Sequence, residues 1–463
     1  MVKRATCCVI AGMALLGCQD PAQAPLPLTV TAVPTEQTAG GVVTLTSDQF
    51  IGLELTPSPD TSRPNRWTNF AVIVEGDTAE SWRVYPTQIA FRVPPVYTGN
   101  HDVTIAIPGY DEARLTIYAV GLAFPVYWGG LNAYTNVSSG TAFSARGLLV
   151  AETFGWPGFP EGYGLIDVQR QKLEMIPDLR AGTNRVKMYA PGLSYRVNHY
   201  IFDLSPSGVA AATVWKADPW TLVDSIPCGD PLGSYTAVEL SATTCLSLQL
   251  STLVRNGTDT LLPQNSAFGF GEFRLAPGGK WAVLRTELFD RQSRFPTMRW
   301  PVVNQLGEIA YTIDTLFHVT GAAFSDHGDT LFIAYSVRDT TANNLVGGRF
   351  AIAALETATG HVVMSRTFPT NRAVQDLIID PARPLLYVAS LQPEPTSGSS
   401  HIRQYLTVLA RGTFGTVADM PAAGDLSVTD ASLVYQGSAG RVSVLGLCGA
   451  DCGGLWVFTY DLP

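Results

Sequence analysis

Apolar and polar residues alternate along most of this chain in short segments, the period of strands with one face buried. Between Pro27 and Val120 six such segments follow one another: Thr29–Val33, Val42–Thr46, Phe70–Val74, Gln88–Val93, Asp102–Ile107 and Arg114–Tyr118. Turn residues separate them at the spacing of a β-sandwich. The exception to the alternation is the start. Lys3 and Arg4 precede an unbroken apolar run from Ala5 to Gly17, too short for a permanent membrane span and shaped like a signal peptide.

Beyond residue 120 the pattern repeats. An apolar strand, a tight polar turn and a second apolar strand recur in Ala142–Val150, Phe202–Ala212, Phe273–Val283, Ala323–Ala334, Leu377–Ala389 and Leu433–Val444. The turns carry Pro, Gly, Ser or Asp because adjacent strands must reverse within a few residues. A third and a fourth strand follow, most clearly Arg349–Leu355, a Thr-Ala-Thr-Gly turn and His361–Phe368. Four antiparallel strands in roughly fifty residues predict a propeller blade. Six turns favour six blades over seven. The gap between the second and third turns is longer than the rest, and holds either an insertion or a degenerate seventh blade. The last unit, ending in Leu455–Leu462, shows three strands, and Leu122–Trp128 could supply its fourth. A strand from the beginning would thereby close the ring and remove free edges.

The expected fold class is therefore all-β, an N-terminal immunoglobulin-like sandwich followed by a β-propeller. Composition agrees: charged residues are 15%, while Gly (43) and Pro (31) are plentiful, as in many short strands joined by turns. The formal net charge of −9 falls by two, to −11, once Lys3 and Arg4 leave with the leader. No basic run is present, which argues against nucleic acid, and an acidic surface is repelled by anionic headgroups.

Leu15-Leu16-Gly17-Cys18 resembles the lipobox of bacterial lipoproteins. The resemblance implies cleavage after residue 17 and a lipidated Cys18 as the membrane contact. With Gln19 rather than Asp after the Cys, it also implies sorting to the outer membrane in a diderm host. Residues 18–26 then form a Pro/Ala tether, 27–120 the first domain and 121–463 the propeller. Within the first domain, Ala39–Thr46, Phe91–Pro94 and Gly99–Ile105 resemble the IPT/TIG family of immunoglobulin-like domains. That family's Gly-Xaa-Asn-Phe is Ser47-Asp-Gln-Phe50 here, and Ser58–Asn69 looks inserted. Such domains serve as spacers or binding modules. The later repeats resemble the YVTN/lactonase-like and TolB-like propeller families.

Of seven Cys, Cys7 and Cys8 belong to the leader and Cys18 carries lipid, leaving Cys228, Cys245, Cys448 and Cys452. An even number in an oxidising compartment suggests two disulfides, with closeness favouring 228–245 and 448–452. A metal site is the rival reading, but there is no Cys-x₂-Cys pair and no nearby His. Catalytic and phosphate-binding motifs are missing from the sequence: no Gly-x-Ser-x-Gly, His-Glu-x-x-His, Walker-type loop or EF-hand. Asp326-His327-Gly328-Asp329 stands in the turn slot of the repeat and reads as a solvated turn. Trp156, in the Gly/Pro/aromatic segment Phe154–Pro160, is either a recognition surface or a loop folded onto the blade beneath. Reading back from the turns places His199, Glu272, His318 and Asp376 as a candidate ligand site at one mouth of the channel, or as groups that satisfy backbone at blade ends. No cofactor can be named. Two functions follow: a binding or scaffolding lipoprotein holding a protein or glycan partner at the cell envelope, or a lactonase- or lyase-like propeller enzyme with a polar site at the central channel.

Overall fold

The computed structural model describes residues 25–59 and 65–129, and strands alone between 147 and 262. From 273 to the end it describes all but the segments 277–278, 285, 289–296, 315–317, 339–347, 381, 394–401, 423–429, 437–440 and 448–453. Cys18, Glu272, Cys448, Cys452 and the Trp156 segment lie outside these residues. Among the described residues, the helical content is one 3₁₀ turn, Asp48–Phe50, and no helix is long and apolar enough to cross a membrane. The chain divides into two compact units, one ending at Pro94 but also taking Gly99–Ala119, the other taking Pro95–Thr98 and everything from Val120.

In the first unit two sheets form. One orders the strands Thr31–Val33, Val42–Thr46, Gln88–Arg92 and Ser81–Tyr85. The other orders Glu36–Thr38, Ala113–Val120, Gly99–Ala106, Ala71–Val74 and Asp77–Thr78. Alternation decides the burial: Val43 and Leu45 are buried in one strand, Val103 and Ile105 in another, while their neighbours face outward. Ser47 caps the 3₁₀ turn by accepting the Gln49 N–H at 3.2 Å, and so delivers Phe50 into the core, edge-to-face with Phe70 at 5.9 Å. Ser47–Phe50 thus supplies both a cap and a core aromatic. The described ends of the segment that looks inserted are bonded to each other and to the residue pair before it. Asn69 Oδ1 accepts the Thr56 N–H at 2.9 Å, and Ser58 N–H donates to the Arg66 carbonyl at 2.9 Å. Arg83 donates to the carbonyls of Phe50, Leu53 and Pro86, which ties the residues after the 3₁₀ turn to the strand Ser81–Tyr85.

The second unit holds seven small antiparallel sheets among the described residues, and none closes on itself. The first comprises Gly147–Thr153, Gly162–Asp167 and Lys172–Met175; the second Lys187–Met188, Asn198–Leu204, Ala210–Lys216 and Thr221–Gly229. The third, Tyr235–Leu240, Cys245–Gln249, Thr252–Arg255 and Asp259–Leu262, fills the long gap between the second and third sequence turns. The fourth is built from Phe273–Leu275, Trp281–Leu284 and Thr297–Asn304, the last of which also pairs with Thr286–Leu288 and Ile309–Asp314. The fifth runs His318–Phe324, Thr330–Arg338, Gly348–Glu356 and Val362–Asn371, and the sixth Ala373–Ile379, Leu385–Pro393, Ile402–Ala410 and Thr416–Pro421. In the seventh, Asp430–Gln436, Arg441–Leu447 and Gly454–Asp461 are completed by Leu122–Gly129, antiparallel to the C-terminal strand with Leu122 opposite Tyr460. The start and the end of the unit therefore share one sheet, as the three-strand terminal repeat implied.

The repeat has a common local geometry. Ala276, Ser325 and Asp380 each donate their N–H to the carbonyl five residues on, Trp281, Thr330 and Leu385, at 2.8, 2.8 and 3.0 Å. Successive sheets then share apolar clusters. Val283, Trp300 and Val302 of the fourth meet Ala322, Phe324 and Ile333 of the fifth. Phe332, Phe350 and Ile352 of the fifth meet Val374, Leu377 and Val388 of the sixth. Leu406, Val408 and Met420 of the sixth meet Val442, Val444 and Phe458 of the seventh. Strands apolar on both faces are what a sheet stacked on both sides requires. This is a repeat-like, all-β architecture of small sheets.

Candidate functional site

The first strands of the fourth to seventh sheets come together around one carboxylate, that of Asp376. In the sixth, a bulge between Val374 and Asp376 breaks the register of Ala373–Ile379, and the fifth has the same break between Val319 and Gly321. A bulge re-aims the next side chain. Asp376 is only 2% exposed. Its Oδ1 accepts the Leu377 N–H at 2.8 Å, and its Oδ2 accepts the Leu433 N–H of the seventh sheet at 2.8 Å. The Arg274 guanidinium of the fourth sheet stands 3.9 Å from Oδ1. Between these strands lies Gly321, where a Cβ would come within 2.7 Å of Leu377 Cβ and 2.8 Å of Leu377 N. Glycine is needed here because no side chain fits against the neighbouring backbone.

Only one of the four proposed ligand residues is described with its surroundings. Asp376 has both oxygens engaged by backbone N–H groups, the arrangement of a carboxylate that satisfies neighbouring strands. His318 opens the first strand of the fifth sheet, opposite Ser336. His199 lies on Asn198–Leu204, which is the second strand of its sheet, opposite Trp215. Their side chains, and all of Glu272, fall outside the described residues. The same holds for the thiols: Cys228 is on the last strand of the second sheet and Cys245 on the second strand of the third.

A second charged group sits at the entrance to the sixth sheet. Arg372, 5% exposed, donates to both Asp419 oxygens at 2.6 and 2.9 Å and through Nε to Gln392 at 3.0 Å. Its guanidinium lies 3.5 Å over the Tyr405 ring, and Thr407 donates to Asp419 at 2.8 Å. Such a bidentate, stacked arginine spans the sheet from its first strand to its last. Sequence patterning missed this group, since Arg372 and Asp419 are far apart in the chain; an arginine immediately before a strand buried on both faces was the available signal.

Two turns complete the picture. Asp380 Oδ1 accepts N–H bonds from Ala382 and Arg383 at 2.9 and 3.0 Å, while Oδ2 takes Arg383 Nε at 2.7 Å and the Tyr387 hydroxyl. Burial works to raise its pKa, but these bonds from Tyr387, Arg383 and the backbone outweigh it and hold the carboxyl below the usual range. In Ser325–Thr330, Asp326, His327 and Asp329 are exposed and Gly328 adopts φ 72°, as expected of a solvated turn. The hydrogen bond from the Ser325 hydroxyl is the main cause of the lowered pKa of Asp329, with burial opposing it. Arg411 stands 3.7 Å from Asp326. Chemically, then, the described cluster binds strand to strand through fixed charges.

No family model and no curated protein matches this chain. Among solved structures it is similar to a chain of the "Crystal Structure of Mitotic Checkpoint Complex" (TM-score 0.44, 11% identity, 73% of this chain and 95% of that one). It is also similar to Chaetomium thermophilum Raptor (0.45, 8% identity, 74% of this chain and 29% of that one). A third is a structural genomics protein of unknown function from Bacteroides thetaiotaomicron (0.32, 12% identity, 84% of this chain and 99% of that one). At these TM-scores and identities the likenesses carry no statement about what the chain does.

Proposed function

We propose that this chain is an exported, lipid-anchored envelope protein whose second unit is a seven-bladed propeller, one blade per sheet, acting as a binding or scaffolding module. Its first unit is read as an immunoglobulin-like spacer between the Cys18 anchor and the propeller, and its partner as a protein or glycan of the envelope. The observation that carries the reading is the way the described inner charges are used. Asp376 and Arg274, and Arg372 and Asp419, are held by one another and by backbone N–H groups, which makes a stiff frame instead of a set of free acid–base groups. A rigid scaffold with satisfied buried polar groups suits recognition by its surface and loops. Photo-crosslinking groups placed at exposed positions Val363 and His327 of the full-length, lipidated protein test this in the producing cell. One discrete crosslinked partner, retained when Asp376 is changed to Asn, is the expected result. Turnover of a lactone or glycan by the purified protein, lost on the same change, would instead establish the enzymatic reading.

A further inference from the structure

We infer that Phe414 latches the sixth sheet to the fifth, so that the two sheets open and close as one cooperative unit. The inference stands apart from the scaffold reading and concerns how the second unit moves. The turn Ala410–Gly415 joins the strands Ile402–Ala410 and Thr416–Pro421 of the sixth sheet. Within it Phe414 adopts φ 53°, while Gly412 and Gly415 on either side do not take the left-handed region. For a bulky side chain that backbone is costly, because its Cβ crowds the following carbonyl oxygen. The ring accounts for it. Phe414 is fully buried, in one apolar cluster with Phe332, Phe350 and Phe368. Those three come from the second, third and last strands of the fifth sheet. Phe414 meets Phe332 edge-to-face at 6.3 Å, and Phe368 stacks on Phe350 at 4.2 Å.

The backbone of the turn is held as firmly as the ring. Phe414 N–H donates to the Ala410 carbonyl at 2.7 Å, and the Phe414 carbonyl accepts Arg366 Nη1 at 2.6 Å. Arg366 stands on the last strand of the fifth sheet, Val362–Asn371, with its guanidinium 4.8 Å from the Phe368 ring centroid. Arg411, in the same turn as Phe414, lies 3.7 Å from Asp326 in the first turn of the fifth sheet. A left-handed phenylalanine persists only where its surroundings over-determine it. Here the fifth sheet supplies most of those surroundings. Should that sheet open, the ring and the carbonyl lose their partners, and nothing offsets the cost of the backbone. Should the turn withdraw, Phe332 and Arg366 lose theirs. Opening either sheet therefore carries part of the cost of opening the other, which is what makes a cooperative unit. Arg372 is the single residue between Val362–Asn371 and Ala373–Ile379, so the connection adds no slack.

Native-state hydrogen exchange of the full-length chain, at rising but sub-denaturing denaturant, tests the latch. In the unaltered protein the N–H groups of Gly348–Glu356 and Ile402–Ala410 should converge on one opening with a shared denaturant dependence. Phe414→Gly removes the ring and the backbone penalty together, and should split that opening into two, one for each sheet. A residue that merely packs would speed exchange without separating the sheets. Two openings in the unaltered chain, or one shared opening that survives Phe414→Gly, would therefore overturn the latch. Where Phe414→Gly does not fold, Arg366→Met decides, since it keeps a side chain beside Phe368 but removes the bond to the Phe414 carbonyl. The Phe414 N–H, which belongs to the other sheet, should then exchange about three- to tenfold faster. An unchanged rate there would equally overturn the latch.

Discussion

Asp376 accepts the backbone N–H of Leu433 at 2.8 Å, so one carboxylate in the sixth sheet satisfies a donor in the seventh. Its other oxygen takes the N–H of Leu377 at 2.8 Å. Changing Asp376 to Ala strands two buried donors and removes the partner facing Arg274. At about 1–3 kcal/mol for each stranded donor, the full-length chain should lose roughly 2–5 kcal/mol in denaturant unfolding. Asn, which keeps one carbonyl oxygen, should recover part of that. Unchanged hydrogen-exchange protection at Leu433 in the Ala variant would show that the contact is not made in solution.

Gly321 offers a steric counterpart. With a Cβ only 2.7 Å from Leu377 Cβ and 2.8 Å from Leu377 N, the neighbour to be displaced is backbone and a branch point, neither of which yields easily. Gly321→Ala should therefore destabilise by about 1–3 kcal/mol, the range for overpacking a filled interior. An Ala variant with wild-type thermal stability would mean that the fifth and sixth sheets lie farther apart than described.

Arg372 holds Asp419 through two parallel bonds while lying flat over Tyr405. Lys can supply the charge but neither the fork nor the plane. Arg372→Lys should then lose about 1–3 kcal/mol, from weakened charge-assisted bonds and a looser stack. Full retention of stability by the Lys variant would reduce the arginine's role to that of a point charge.

Asp380 sets a dependence on acid. Its folded-state pKa is depressed, so ionisation favours the folded chain above the unfolded value, about 3.9, and the benefit disappears as pH falls through the folded value. Stability of the wild-type chain should fall more steeply between about pH 5 and pH 2 than that of Asp380→Asn, in which this group no longer titrates. Parallel urea midpoints for the two proteins across that window would remove Asp380 from the acid response.

Lipidation at Cys18 is a prediction from the chain start. The mature protein should begin at Cys18 and enter the detergent phase on phase separation, and Cys18→Ala should abolish both. A Cys18→Ala protein that still resists high-salt washing of membranes would point to another mode of attachment.

What the sequence determined by itself was whatever depends on local pattern. Alternation at Val42–Thr46 and Gly99–Ala106 announces half-buried strands, and the recurring turns at Ala276, Ser325 and Asp380 announce a repeat, because turn dihedrals and pleat period are set by neighbouring residues. Even the pairing of Leu122–Gly129 with the C-terminal strand could be anticipated, since a three-stranded final repeat leaves an open edge. The third small sheet, Tyr235–Leu262, stays open in the sequence between an insertion and a degenerate blade, because the turn between its first two strands, Ser241–Thr244, has neither Pro nor Gly. Of the candidate site, the sequence yielded Asp376 as a residue of interest but not its partners. Arg274, Gly321 and Leu433 lie on three other sheets, and Arg372 meets Asp419 from across its own. Those contacts depend on how separate sheets stack and on where two matching bulges re-aim the chain, and no local pattern encodes a distance between strands dozens of residues apart. Only the tertiary structure could decide that Asp376 turns toward a neighbour's backbone.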